Sequence, residues 1–359
     1  MLPRIAVYSP TPAAYADHPT GERSILAVTR AALSLARFQP FDVAAPRAFD
    51  KTGDADLQSR LIREAQAVAQ RLTSSWAGQP PALWYTYHSY YKAPDLVGPA
   101  VSRALGIPYV IQQPSISRRR LNGPHRAFAQ ANLEACAAAD LLFWPTERDL
   151  DGLCAEGHGD KLCYLPPSVG ALPHAAPAQA AKSPIHLLTV ARMQPGAKQE
   201  SYHRLAAGLA ALADDGGDQA WTLTVIGDGP AAADVRAPFH ALGDRVRFIG
   251  SMSQAEVAEI YPSADLLLWP GFEEGVGMVY LEAQAHGVPV IAEELAGRAA
   301  FIANRLAAPN DPADYARLIR ETLDRRQALS AAARGRIQAF HAPQAAADIL
   351  RRALMPLIA

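Results

Sequence analysis

The chain reads as an α/β protein of two Rossmann-like, doubly wound parallel-sheet domains, and three observations predict this. Short apolar runs alternate with helical patterns along all 359 residues, as in a parallel sheet covered by helices on both faces. The alternation is interrupted once, over residues 171–184. There Ala175-Ala176-Pro177-Ala178-Gln179-Ala180-Ala181 carries no large apolar residue and reads as a linker. Half of the residues are hydrophobic, which is ample material for two cores. The expected organisation is a domain over 1–170, the linker over 171–184, a second domain over 185–340, and a closing helix over 341–359 packing back on the first domain.

Taken in order, Ile5–Tyr8 is a strand ended by Ser9-Pro10-Thr11-Pro12. Thr20-Gly21-Glu22 then opens a helix, so Gly21 lies in a strand–loop–helix corner of the kind that faces ligands at the carboxyl end of a sheet. Strands are expected at Phe41–Ala45, Pro81–Thr86, Ile107–Gln112, Asp140–Trp144 and Lys161–Leu165. Helices are expected at Asp56–Trp76, Pro94–Leu105, Pro124–Ala138 and Glu147–Ala155. The second half repeats the grammar, with strands at Ile185–Ala191, Thr222–Ile226, Arg245–Ile249, Ala264–Trp269 and Val288–Ala292. Its helices are a stripe through Tyr202, Leu205, Leu209 and Leu212, then Gln254–Tyr261, a helix from near Gly277, Pro312–Leu323, Arg325–Phe340 and Pro343–Leu354.

Bulk properties exclude several functions. The formal charge is −1, without the basic field that non-specific nucleic-acid binding needs. Three cysteines, Cys136, Cys154 and Cys163, form no C-x-x-C pair. A disulfide framework or zinc site is therefore not expected, and a reducing cytoplasm fits best. No run approaches the roughly 18 apolar residues of a membrane span, which leaves only a peripheral membrane contact open. Asp54-Ala55-Asp56 has the letters of a metal-holding triplet, but it opens a polar helix and reads as a helix cap.

The chemistry concentrates in Pro270-Gly271-Phe272-Glu273-Glu274-Gly275-Val276-Gly277-Met278-Val279-Tyr280-Leu281-Glu282-Ala283. An apolar strand leads into a glycine loop and a helix N-terminus, where free N–H groups and the positive dipole end face an anion. Two carboxylates, Glu274 and Glu282, suit a phosphate ester that also carries many hydroxyls, because carboxylates accept hydrogen bonds from sugar OH groups. Arg192 and Lys198 follow the strand at 185–191 and are placed to hold a diphosphate. In the first domain, His88 follows a strand, and Arg118-Arg119-Arg120 forms a basic loop suited to an anionic acceptor or a lipid phosphate, though more often simply solvated. His286 reads as a packing residue.

Arg192 and Lys198, the Ile226-Gly227-Asp228-Gly229-Pro230 turn, Val246-Arg247-Phe248-Ile249-Gly250, Tyr261 with Ala264-Asp265, Glu274-Gly275-Val276-Gly277 with Glu282-Ala283, and Gly287-Val288-Pro289-Val290-Ile291-Ala292 occur in an order that resembles the C-terminal domain of glycosyltransferase family 4. That family comprises retaining enzymes of GT-B architecture. The resemblance covers the whole second half. In the first half it is limited to Gly21 and Gly106-Ile107-Pro108. It implies two Rossmann-like domains facing a central cleft. It also implies that Glu274 faces the donor sugar, Glu282 holds the ribose hydroxyls, Arg192 and Lys198 hold the diphosphate, and the Gly275–Val279 backbone (Gly275, Val276, Gly277, Met278, Val279) caps phosphate and sugar, with Gly227 and Gly250 at neighbouring turns. No metal and no separate cofactor are implied; the donor would be a UDP-, GDP- or ADP-sugar, and the acceptor a saccharide, lipid or small metabolite.

Two departures from the family pattern stand out. Where the family has Pro-Glu after a double glycine, this chain has Gly297-Arg298-Ala299-Ala300. The loop Gln112-Gln113-Pro114-Ser115-Ile116-Ser117 lacks the family's His. They keep two further readings in view: a non-catalytic sugar-nucleotide-binding or partner subunit, and a nucleotide-sugar epimerase.

Overall fold

The computed structural model describes residues 1–17, 20–173, 184–214, 220–293 and 311–359. Gly297, Ala299, Ala300 and the Ala175–Ala181 linker stretch lie outside the described residues. The chain divides into two compact units, Met1–Gly170 with Pro343–Ala359, and Ala171–Ala342.

The first unit runs β1 (Arg4–Tyr8), α1 (Gly21–Leu35), β2 (Gln39–Asp42), α2 (Ala55–Trp76), β3 (Leu83–Tyr87), α3 (Gly98–Leu105), β4 (Tyr109–Gln112), α4 (Arg126–Ala138), β5 (Leu141–Trp144), α5 (Glu147–Ala155) and β6 (Leu162–Tyr164). Its strands form one parallel sheet in the order β2-β1-β3-β4-β5-β6. β3, Leu-Trp-Tyr-Thr-Tyr, is buried at every position, as expected of a central parallel strand covered on both faces. One face of the sheet packs Ile5, Val7, Tyr85 and Val110 against Leu26 and Leu33 of α1; the other packs Ala6, Trp84 and Ile111 against Val68 of α2 and Val101 of α3.

The second unit runs β7 (Ile185–Val190), α6 (Ala197–Asp214), β8 (Trp221–Ile226), α7 (Ala232–Arg236), β9 (Val246–Gly250), α8 (Gln254–Ile260), β10 (Leu266–Leu268), α9 (Met278–Ala285), β11 (Val290–Ile291), α10 (Pro312–Asp324) and α11 (Arg326–Arg336). Among the described residues its parallel sheet has the order β11-β10-β7-β8-β9. The last helix, α12 (Pro343–Ile358), belongs to the first unit, and its Ala346, Ala347, Leu350 and Leu354 join the core around α1.

Most expected elements are present, and the differences lie at their ends. α3 starts at Gly98 rather than Pro94, because the Asp95 carboxylate takes the N–H groups of Val97 (2.9 Å) and Gly98 (2.8 Å) and holds the preceding residues out of the helix. Asp265 and Trp269 flank β10 rather than belonging to it. The helix expected over Arg325–Phe340 ends at Arg336 and continues as a π turn over Ile337–His341. Asp54 is a helix cap, accepting from the N–H groups of Asp56 and Leu57 at 3.0 Å each.

In both sheets the strand order reverses at one place: between β1 and β3 in the first unit, and between β7 and β10 in the second. Such switch points, outside the carboxyl ends of the strands, are where open α/β sheets bind ligands.

Candidate functional site

In the second unit, the loops after β7 and β10 meet at the switch point. Lys198, in the first turn of α6, forms an ion pair with Oε2 of Glu274. The same oxygen accepts from Trp269 Nε1 at 3.1 Å, and the Lys198 ammonium lies 5.3 Å from the Trp269 ring centroid. The pair joins two residues that sequence reasoning had assigned to different parts of a ligand, diphosphate and sugar. Arg192 stands apart: it is exposed, and its guanidinium has no partner among the described residues.

Glycines shape this corner. Gly227 follows β8, and a Cβ on it would sit 1.9 Å from the Ala191 carbonyl oxygen. No side chain fits there. The loops after β7 and β8 therefore run backbone to backbone, with the Met193 N–H donating to the Asp228 carbonyl at 2.9 Å. Gly250 lies at φ +82 and a Cβ on it would meet nothing within 4 Å, while its carbonyl accepts from the Gly227 N–H at 2.8 Å.

The glycine loop itself is a tight turn into α9. Gly277 caps the helix at φ +67, in the left-handed region, and a Cβ there would lie 2.3 Å from Tyr280 Cε2. Among the described residues no side chain caps α9, so its first N–H groups, including those of Met278 and Val279, are placed to receive an anion. Gly275 is exposed, whereas Val276 packs into the core.

Glu282 follows in the second turn of α9. Its carboxylate accepts from Gln254 Nε2 at 2.9 Å and from the Tyr261 hydroxyl at 3.3 Å. Burial raises its pKa above the ordinary glutamate range, and those two donors partly offset the rise. Gln254 lies 28 residues from Glu282, and no local spacing signals it. His286 packs against the Tyr261 ring at 5.1 Å, and burial lowers its pKa.

The first unit has its own group at its switch point. His88 Nδ1 lies 2.7 Å from Glu22 Oε1, and its ring stacks on Tyr90 at 4.7 Å. Gly21, beside Glu22, begins α1 behind a Thr20 cap that accepts from the Arg23 N–H at 3.0 Å. A Cβ on Gly21 would meet nothing within 4 Å. Burial, with a smaller contribution from the Glu22 charge, pushes the Tyr90 hydroxyl up to about 12. Burial also raises the pKa of Asp149, with the Thr146 hydrogen bond and, to a smaller extent, the His88 charge partly offsetting it. Sequence reasoning found His88 but not Glu22, which reaches it from another element. The arginine run splits: Arg118 pairs with Glu156, Arg119 is exposed, and Arg120 lies 4.7 Å over the Tyr91 ring.

Left-handed non-glycine residues mark both corners: His88 at φ 58, Gln113 at φ 56 and Glu273 at φ 50. Each such residue costs on the order of 1–3 kcal/mol and persists where surrounding bonds over-determine it. The His88 N–H donates to the Gln112 carbonyl at 2.9 Å and the Gln113 N–H to the Phe143 carbonyl at 2.8 Å. Among the described residues, no three His, Cys, Asp or Glu side chains gather as a metal site, and no helix is long and apolar enough to cross a membrane.

Comparison with known proteins agrees with the fold and the motif order. The family described as Glycosyl transferases group 1 matches residues 184–325. D-inositol 3-phosphate glycosyltransferase 2 of Catenulispora acidiphila is 33% identical over 150 residues, 38% of this chain and 35% of that protein, so the match spans about a third of that relative's length. D-inositol 3-phosphate glycosyltransferase of Streptomyces avermitilis is 28% identical over 323 residues, 80% of this chain and 67% of that one. Among solved structures, Anabaena HepE in complex with UDP and glucose superposes with a TM-score of 0.66 at 15% identity, over 99% of each chain. The two parallel-sheet α/β domains are those of the GT-B fold, and the match to the glycosyl transferases group 1 family falls on the second of them, over residues 184–325.

Proposed function

We propose that the chain moves a glycosyl group from a nucleoside-diphosphate sugar to an acceptor, with retention at the anomeric carbon and without a metal ion. The observation that carries this reading is the Lys198–Glu274 ion pair at the β7/β10 switch point, with an exposed Arg192 on the loop after β7 and a start of α9 that no side chain caps among the described residues. The two relatives named above are glycosyltransferases, and the HepE structure holds UDP and glucose; both support the same donor class.

In this reading the diphosphate takes over the Lys198 ammonium and draws Arg192, while the α9 N–H groups receive the phosphate nearest the sugar. Charge builds on that phosphate as the glycosidic bond breaks, and fixed donors aimed at it lower the barrier. Glu274, released from Lys198, accepts from the sugar hydroxyls. Glu282, already oriented by Gln254 and Tyr261, accepts from the ribose. The departing phosphate oxygen takes the acceptor's proton, so no protein base is required at the reacting carbon. The acceptor is a saccharide, a lipid or a small metabolite.

The test is a thermal-shift screen of UDP, GDP and ADP with their sugars, since a ligand that binds only the folded state raises apparent stability with its concentration. It is followed by NMR of the anomeric signals during turnover of the donor that scores. An α-linked product from an α-linked donor supports the reading; turnover equal in wild type, Glu274→Ala and Lys198→Ala overturns the site.

A further inference from the structure

The ion pair at the centre of the site depends on a loop whose shape needs an explanation. Glu273 sits at φ 50, one residue before Glu274, in a backbone region that non-glycine side chains rarely adopt. Something must hold Phe272 on one side of it and Glu274 on the other.

On the Phe272 side the holder is a buried charge cluster. Arg204, on the same helix as Lys198, reaches both carboxylate oxygens of Glu293 with Nη1 at 2.9 Å each, and Glu200 Oε1 with Nε at 2.8 Å. The Arg204 and Glu293 side chains are 16% and 5% exposed, so water screens the pair little. The guanidinium lies 4.2 Å from the Phe272 ring centroid. The Phe272 N–H donates to Ser201 Oγ at 2.9 Å, and the Glu293 N–H donates to the Pro270 carbonyl at 2.8 Å. Arg204 thus ties together α6, Glu293 two residues past β11, and the stem of the glycine loop.

We propose that Arg204, clamped by Glu293, is a positioning residue that holds Phe272 and so keeps Glu273 left-handed and Glu274 aimed at Lys198. This deepens the donor-site reading and rests on it for its consequence in catalysis. Its structural half stands independently. With the clamp gone, Glu273 relaxes to the right-handed region, the chain beyond it turns, and Glu274 leaves Lys198 and Trp269. Arginine suits the task, since its planar group pairs with a carboxylate and stacks on an aromatic ring at once, and lysine does neither well.

The experiment is hydrogen exchange by mass spectrometry on wild type, Arg204→Met, Arg204→Lys and Glu293→Gln, reading peptides over 270–277 and, as an internal reference, over β7 and β8. Expected is exchange faster by about tenfold in 270–277 for Arg204→Met, less for Arg204→Lys and Glu293→Gln, with the reference strands unchanged. In steady-state turnover of UDP-glucose, or of whichever donor the screen selects, kcat falls while UDP affinity by calorimetry stays within about twofold, because Arg192 and Glu282 are not moved. Unchanged exchange in 270–277 for both Arg204→Met and Glu293→Gln overturns the proposal. So does an equal rise in the reference strands, which marks a merely structural role. If wild type binds no nucleotide, the donor reading fails, and the exchange data still decide whether Arg204 holds the loop.

Discussion

The two switch points are built alike and secured differently. Each brings together a base and a carboxylate from different elements: His88 with Glu22 in the first unit, Lys198 with Glu274 in the second. In the second unit the walls are backbone. Gly227 and Gly277 leave no room for a Cβ, and α9 presents uncapped N–H groups. In the first unit the support is a buried side-chain network. Asp95, 1% exposed, accepts from Trp84 Nε1 at 3.2 Å, the Tyr109 hydroxyl at 2.9 Å, the Thr86 hydroxyl, and two backbone N–H groups. Its own N–H donates to Ser89 Oγ at 3.0 Å, and Ser89 donates to Asn132 at 2.7 Å. In the donor-site reading proposed above, a backbone wall suits the invariant phosphates of a nucleotide sugar.

That contrast can be broken by experiment. The largest effect is expected at the second unit's pair: Lys198→Ala lowers kcat for donor turnover by about 10²–10³-fold, measured as initial rates at saturating donor. Next is the glycine wall. Gly227→Ala forces Ala191 and the Arg192 loop aside, which costs about 1–3 kcal/mol of stability, read as a lower denaturant midpoint, and weakens nucleotide binding. Comparable stability and binding in that variant would remove the backbone-wall argument.

In the first unit, His88→Ala is expected to lower kcat for transfer by about tenfold or more while leaving nucleotide affinity unchanged; a matching loss of UDP affinity would erase the division of labour between the corners. The smallest effect is on pH. Burial raises the Glu282 pKa, so its ionised, accepting form is lost as pH falls through that raised value. Nucleotide affinity should drop by about tenfold per pH unit below it. Glu282→Gln weakens binding at neutral pH and flattens the fall.

Much of this was legible in the sequence where signals are local. α5 has the expected bounds, and in the structure Thr146 caps it, accepting from the Asp149 N–H at 3.3 Å. Arg192, Lys198, Glu274 and Glu282 stand directly after strands or on the helix that follows, so strand ends located them. What escaped were partners from distant elements. Glu22 reaches His88 across 66 residues, and Arg204 reaches Glu293 across 89. Neither pairing has a spacing that periodicity can detect. α3 was started too early for a related reason: Asp95, whose side-chain partners include residues on two strands, looks like an ordinary helix-start residue.

The central claim is that the β7/β10 corner holds the diphosphate of a sugar nucleotide through Lys198 and Arg192. Calorimetric titration of UDP, GDP and ADP into wild type, Lys198→Ala and Arg192→Ala tests it most directly. The account predicts that at least one nucleotide binds wild type and that each substitution weakens it by about tenfold or more. Wild-type affinity in both variants, or no binding of any of the three nucleotides to wild type, would contradict it.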